Sequence, residues 1–219
     1  MLIEHRNQNF NKESSIAISN DLKSVFALRR TVRDLSDKKV PIEVVINAIN
    51  IARLAPSGAN KQPWSFSLIS NQEIKNSIRE IAENNERIFY HENGNENWKK
   101  ELSHLHTDDQ KEFITSAPYL IAAFYSNVNR SEDGVKTDVN YYAKESVGIA
   151  TGMLISALHM SGLSVLTYTP SKMQFLPKLL NRPKDEKLFI LLGVGLPKDD
   201  AKVPQISKKS IDDILTMYK

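Results

Sequence analysis

The stretch RRTVR puts Arg29, Arg30 and Arg33 within five residues at the end of a helical pattern, with the Thr31 hydroxyl between them. Guanidinium forks take two oxygens of a phosphate at once, so the cluster suits a phosphate-bearing ligand. By residue type alone it is equally a solvated helix end, where cations meet the favourable pole of the dipole. In APSGANKQPW, residues 55–64, there is no carboxylate and no nucleophile with its base. Pro56, Ser57 and Gly58 offer a fixed backbone, a hydroxyl and close approach to a flat ligand, or simply a turn from helix to strand. Further on, SKKS adds Lys208 and Lys209, a second phosphate contact or ordinary surface.

Side chains that catalyse by themselves are scarce. His5, His91, His104, His106 and His159 are scattered, and no third ligand joins His104 and His106, so no metal site is expected. The chain has no cysteine, which excludes thiolate catalysis and disulfides. There is no G-x-S-x-G elbow, no G-x-G-x-x-G and no G-x-x-x-x-G-K loop. With 29 Lys+Arg against 26 Asp+Glu the net charge is +3 and dispersed, which does not favour a nucleic-acid partner. The first 20 residues lack the apolar run of a signal peptide or anchor, and no stretch reaches the roughly 18 apolar residues of a spanning helix. A cytoplasmic protein without a membrane partner is the expectation.

Those groups need a scaffold. Residues 1–20 are polar and aperiodic and read as an arm, ahead of a single domain over 21–219. A helix is expected in SNDLKSVFALRR, capped by Ser19, Asn20 or Asp21, with Leu22, Val25, Phe26 and Leu28 as its stripe. A second should follow Pro41, with Ile42, Val45, Ile46, Ile49 and Ala52 inward and Pro56 and Gly58 ending it. WSFSLIS alternates as a strand does, and NQEIKNSIREIAENNERIFY returns to helical spacing through Ile74, Ile78 and Ile81. HENGNENWKKELSHLHTDDQ has no clean period and reads as a mobile cover. APYLIAAFYS fits a buried strand, and NYYAKESVGIATGMLISALHMSG a long helix stopped at Gly162. Its small residues Gly148, Ala150, Gly152, Ser156 and Ala157 would let another helix approach. LSVLTYT and KLFILLGVGLP complete the strands, with a short helix through FLPKLLN between them. Helices with scattered strands make an α+β class.

In order and spacing, RRTVR, APSGANKQPWSF, TYTP and SKKS resemble the nitroreductase superfamily of FMN-dependent oxidoreductases, and within it most closely the iodotyrosine deiodinase group. The similarity runs from about Asp21 onward. It implies a mostly antiparallel central sheet flanked by helices, in a domain-swapped homodimer with FMN at the interface. In that group a glutamate, a tyrosine four residues later and a lysine from the next segment hold the amino-acid end of the substrate. Here ERIFY supplies Glu86 and Tyr90, and QKEFITSAP supplies Lys111. The trio suits a zwitterion: a carboxylate for the α-ammonium, an ammonium for the α-carboxylate, and a hydroxyl between. Without the resemblance the three would read as a solvated face.

The resemblance further implies that Arg29, Arg30, Thr31 and Arg33 hold the FMN phosphate and ribityl tail, with Lys208 reaching in where relatives commonly carry arginine. Ser57 and Gly58 would meet the flavin ring, and the Ala59 N–H the substrate phenolate. Thr167 and Thr169 would edge the ring, with Thr169 offering a catalytic donor to N5. The implied activity is reductive dehalogenation of halogenated tyrosines under a lid of about 86–111, with electrons from an external donor or reductase. The competing expectations are a broad NAD(P)H-dependent nitro or quinone reductase, which needs no amino-acid clamp, and a non-catalytic flavin or amino-acid binder.

Overall fold

The structure, a computed structural model, describes residues 3–4, 10–131, 134–169, 172 and 174–219, without the side chains of Asn93 and Arg130. His5, part of the expected arm and Pro170 of TYTP lie outside the described residues. The chain divides into two units, residues 1–30 and 31–219. The first is built on one helix, α1 (Lys12–Ala27). The cap expected at 19–21 is instead Asn11, whose side chain accepts from the Ser14 N–H, so residues 12–20 are already helical. No α1 residue is buried, and Leu28, expected in an inward stripe, is 77% exposed.

The second unit centres on a four-stranded antiparallel sheet in the order β1-β2-β6-β5, made of β1 (Trp64–Ile69), β2 (Tyr119–Ser126), β5 (Ser164–Tyr168) and β6 (Glu186–Gly195). The near-continuous apolar run of β2 has its cause in burial on both faces. Leu120, Ala122 and Phe124 point to one layer, formed by α3 (Gln72–Arg87), α5 (Phe113–Ser116) and α7 (Phe175–Leu179). Ile121 points to the other, formed by α2 (Ile42–Ala52) and α6 (Ala143–Met160). Across from β2, Ala123 pairs with Ile190 and Phe124 with Leu188, leaving Phe189 as an extra residue. That bulge shifts the alternation, which is why Leu188 and Leu191, three apart, share a layer.

Two details of the helices differ from the expected pattern. In α2 the buried residues are Val45, Ala48 and Ala52, while Ile42 and Ile46 are about half exposed, so the helix is turned to hide its small face. In α6, Ala157 packs within the layer shared with α2, whereas a side chain at Gly152 would meet nothing. Gly162 ends α6 as expected: at φ +80° it lets its own N–H reach the His159 carbonyl and the Leu163 N–H reach that of Leu158. A small hairpin, β3 (Val128–Arg130) with β4 (Lys136–Val139), was not evident in its polar sequence. The expected cover contains a helix, α4 (Glu96–Ser103), capped by the Asn95 side chain. Among the described residues no helix is long and apolar enough to cross a membrane.

Candidate active site

The cavity that gathers most chemistry has a volume of about 510 Å³ and lies between the end of α3, α4, the Thr107–Lys111 segment and the end of β5. Glu86, Tyr90 and Lys111, chosen from the sequence as a clamp, all line it, as do Arg33 and Thr169. The arrangement starts from α3. Its Asn71 cap and its buried Ile78 and Ala82 seat the helix on the sheet, which leaves the opposite edge of its last turn over the cavity. One turn before Glu86, the Glu83 carboxylate accepts from Arg79 at 2.7 Å and from the Lys111 backbone N–H at 2.8 Å. The Lys111 segment is thereby pinned to α3, and the Lys111 ammonium arrives 3.6 Å from Glu86 Oε2.

After Arg87 the chain widens into a π-helical turn, Ile88–Asn93. Such turns alter which side chains share a face and occur often at functional sites. Tyr90 sits in this turn and lines the cavity together with Thr107. Phe89 meets the Trp98 ring edge-on at 4.9 Å, which ties the turn to α4 and forms the apolar wall of the cavity. Gly94 closes the turn against the Phe89 carbonyl: a Cβ there would stand 1.9 Å from that oxygen. On the outer side, His91 Nε2 lies 3.3 Å from Asp109 Oδ2.

The charges in the cavity are shielded but matched. Burial pulls the Lys111 ammonium below the usual lysine range, and the Glu86 and Asp108 carboxylates oppose that pull. Its Nζ also donates to the Asp108 carbonyl and stands 5.7 Å from the centre of the Tyr90 ring. Burial likewise raises the Tyr90 phenol; Glu86 and Asp108 add to the rise, while Thr107 and Arg33 oppose it. The cavity therefore brings the Glu86 carboxylate, the Lys111 ammonium and the neutral Tyr90 phenol together beside an apolar wall, with Arg33 and Lys172 as further cations on its lining. A small zwitterion carrying a ring matches that set.

The lining residues not singled out from the sequence include Tyr168, Trp98, Thr107 and a further cation, Lys172. A strand's alternation would have given the first, since Tyr168 must face away from Thr167. The other expected cofactor residues are dispersed. Thr167 is exposed and does not line the cavity. Thr31 bridges to Val165, where the Val32 N–H donates to the Val165 carbonyl at 3.3 Å. Arg29 and Arg30 belong to the first unit, and Lys208 is exposed in the segment after β6. Gly58–Asn60 form a tight 3₁₀ turn entered through Ser57, whose hydroxyl accepts from the Gln62 N–H at 2.9 Å, and none of the four lines the clamp cavity. Ala59 and Asn60 are left-handed there, and a Cβ on Gly58 would come within 3.0 Å of the Tyr141 carbonyl. Pro63 leads into β1, where Trp64 packs on the cluster of Tyr125, Ala143 and Val147. Among the described residues no cluster of three His, Asp or Glu could hold a metal.

Residues 27–196 match the profile of the nitroreductase family. Over 216 residues the chain is 40% identical to an iodotyrosine deiodinase of Haliscomenobacter hydrossis, covering 99% of this chain and 97% of that protein. It is 42% identical over 191 residues to an iodotyrosine deiodinase of Danio rerio, covering 87% of this chain but 64% of the longer animal protein. A crystal structure of an oxidized iodotyrosine deiodinase bound to FMN and 3-iodo-L-tyrosine superposes with a TM-score of 0.77 and 32% identity, over 90% of this chain and all of that one. A nitroreductase with bound FMN from Bacteroides fragilis gives a TM-score of 0.67 at 15% identity, over 91% of this chain and all of that one, a likeness of fold alone.

Proposed function

The chain belongs to the nitroreductase family, and from that premise we propose that it is an FMN-dependent reductive dehalogenase acting on halogenated tyrosines, converting iodotyrosine to tyrosine and iodide. The observation that carries this reading is the meeting of Glu86, Tyr90 and Lys111 in one cavity with opposite charges 3.6 Å apart. An amino acid presents an ammonium and a carboxylate on a single carbon. Entering between Glu86 and Lys111, it replaces one internal ion pair with two, so neither buried charge is left alone. The Tyr90 hydroxyl adds a donor. A nitro or quinone substrate has no groups to make that exchange.

Bound FMN supplies the two electrons that, with a proton, replace the carbon–iodine bond by carbon–hydrogen as iodide leaves. The donor set fits such a group: Arg33 and Thr169 line the same cavity as the clamp, one a cation and one a hydroxyl. Arg29, Arg30, Thr31 and Arg33 are assigned to its phosphate and ribityl chain, with Lys208 at the far end. Ser57, Gly58, Thr167 and Thr169 are assigned to its ring, and Thr169 is the donor at the ring edge. The amides that open a 3₁₀ turn have no acceptor within it, which suits the Ala59 N–H to a substrate phenolate.

Ser57, Gly58 and Ala59 are not among the residues that line the clamp cavity. A homodimer would bring the two together across its interface, and the exposed Ile42, Ile46 and Ile51 of α2 and Ile149 of α6 are apolar surface for it. Electrons then come from an external reductase in the cytoplasm. The test is a titration of the FMN-loaded protein. L-3-iodotyrosine should perturb the flavin spectrum, nitrobenzoate should not, and Glu86→Gln should lose the response while keeping FMN. An unchanged iodotyrosine affinity in that variant would overturn the clamp.

A further inference from the structure

Tyr168 is the last residue of β5, and its ring points into the layer of α3 and α5. The ring meets Phe113 edge-on, with centroids 5.4 Å apart. Its hydroxyl donates to Glu86 Oε1 at 2.8 Å, while Glu86 Oε2 is the oxygen nearest Lys111. The two oxygens of the carboxylate therefore have different partners, one a phenol fixed in the core and one a cation at the end of a flexible stem. We propose that Tyr168 is a positioning residue for recognition of the substrate ammonium: it holds Oε1 so that Oε2 is presented to the incoming cation.

The inference rests on the clamp reading above. When Lys111 turns to the substrate carboxylate, Glu86 loses its protein cation, and Tyr168 is the donor that still fixes its orientation. A glutamate free to rotate would lose side-chain freedom on binding, and a glutamate already held loses little. Burial raises the Tyr168 phenol far above its usual range, with Glu86, Tyr90 and Glu83 adding to the rise, so the hydroxyl acts as a donor at every working pH. Tyr168 also adjoins Thr169, which lines the same cavity, so one strand end carries both the support of the clamp and the residue assigned to the flavin edge.

The experiment compares FMN-loaded wild type, Tyr168→Phe and Glu86→Gln by their dissociation constants for two ligands. One is L-3-iodotyrosine; the other is 3-(4-hydroxy-3-iodophenyl)propionate, which lacks only the ammonium. Phenylalanine keeps the ring against Phe113, and flavin content and melting temperature report whether the fold is kept. Loss of one hydrogen bond to a charged group should weaken iodotyrosine binding about tenfold or more in Tyr168→Phe. The des-amino ligand should change by less than about twofold, a small fraction of that charged-group effect. Equal weakening of both ligands would make Tyr168 merely structural and overturn the proposal. Unchanged iodotyrosine binding in Tyr168→Phe, with discrimination lost in Glu86→Gln, would overturn it while leaving the clamp intact. Discrimination retained in Glu86→Gln would overturn the clamp itself, and this inference with it. If Tyr168→Phe loses flavin, Phe113→Leu serves instead: it loosens the Tyr168 ring without touching Glu86 and should give the same selective loss, and weakening of both ligands alike would overturn the proposal.

Discussion

Lys111 Nζ stands 3.6 Å from Glu86 Oε2, with the two side chains only 6% and 13% exposed. A shielded pair of this kind is poor value for stability, because removing two charges from water offsets much of their attraction. It makes sense as a binding site held closed by its own charges.

The depressed pKa of Lys111 sets a pH dependence. Carboxylate binding needs the ammonium, so iodotyrosine affinity should fall as pH rises through a value below the ordinary lysine range near about 10.4. Lys111→Arg stays charged throughout, and comparing the two profiles removes the ligand's own ionisations, which both share. The alkaline loss should be smaller in the arginine variant. For folding the sign is opposite. Between the lowered folded pKa and the unfolded one, the unfolded chain binds more protons, so Lys111 adds stability as pH rises across that window. Denaturant melts at neutral and alkaline pH on wild type and Lys111→Met would show it.

Glu83 should matter to binding without touching substrate. Its carboxylate joins Arg79 to the Lys111 N–H, so Glu83→Ala leaves two donors unmet and frees the Lys111 segment. A loss of about 1–3 kcal/mol in stability is expected. Iodotyrosine affinity should drop as well, with FMN content retained, measured by chemical denaturation and ligand titration.

Gly94 is required by space, since its φ of −70° is open to any residue. An alanine methyl would lie 1.9 Å from the Phe89 carbonyl and 2.8 Å from Lys99 Cε, so the π-helical turn must move. Gly94→Ala should raise the dissociation constant for iodotyrosine while the melting temperature of the core stays close to wild type.

Gly152 separates a single chain from a dimer. Its Cβ direction is empty in one chain, so Gly152→Leu should be tolerated or gain helix propensity of about 1 kcal/mol. If a second copy packs on α6, the same change should weaken association and lower FMN content, read by sedimentation and flavin absorbance. Unchanged association would remove α6 from the interface.

The elements were legible where burial imposes a period. The two-sided run at β2, the stripe of α3 and the stop at Gly162 all stand where the pattern puts them. Where apolar side chains stay outside, periodicity pointed the wrong way: Ile42 and Ile46 carry the helical spacing of α2, but the small Ala48 is the residue that packs inward. The start of α1 was missed because Lys12–Asn20 has no buried face to impose a stripe. In the candidate site, Glu86, Tyr90 and Lys111 were found through the resemblance, because by residue type alone they read as a solvated face, and the π-helical turn that carries Tyr90 leaves no mark in the spacing. Tyr168 was open to a strand's alternation, whereas Trp98 was not, because it reaches the cavity through tertiary packing from a separate helix.

The central claim is that this chain uses its clamp to present a halotyrosine for reductive loss of halide. The most direct measurement is a single turnover: the FMN-loaded protein is reduced without oxygen, the excess reductant is removed, and L-3-iodotyrosine is added. The account predicts reoxidation of the flavin with about one iodide and one tyrosine released per flavin, as the two-electron balance requires, and no turnover with the same protein carrying Glu86→Gln at that ligand concentration. Reoxidation by nitrobenzoate or a quinone without iodide release from iodotyrosine would contradict it.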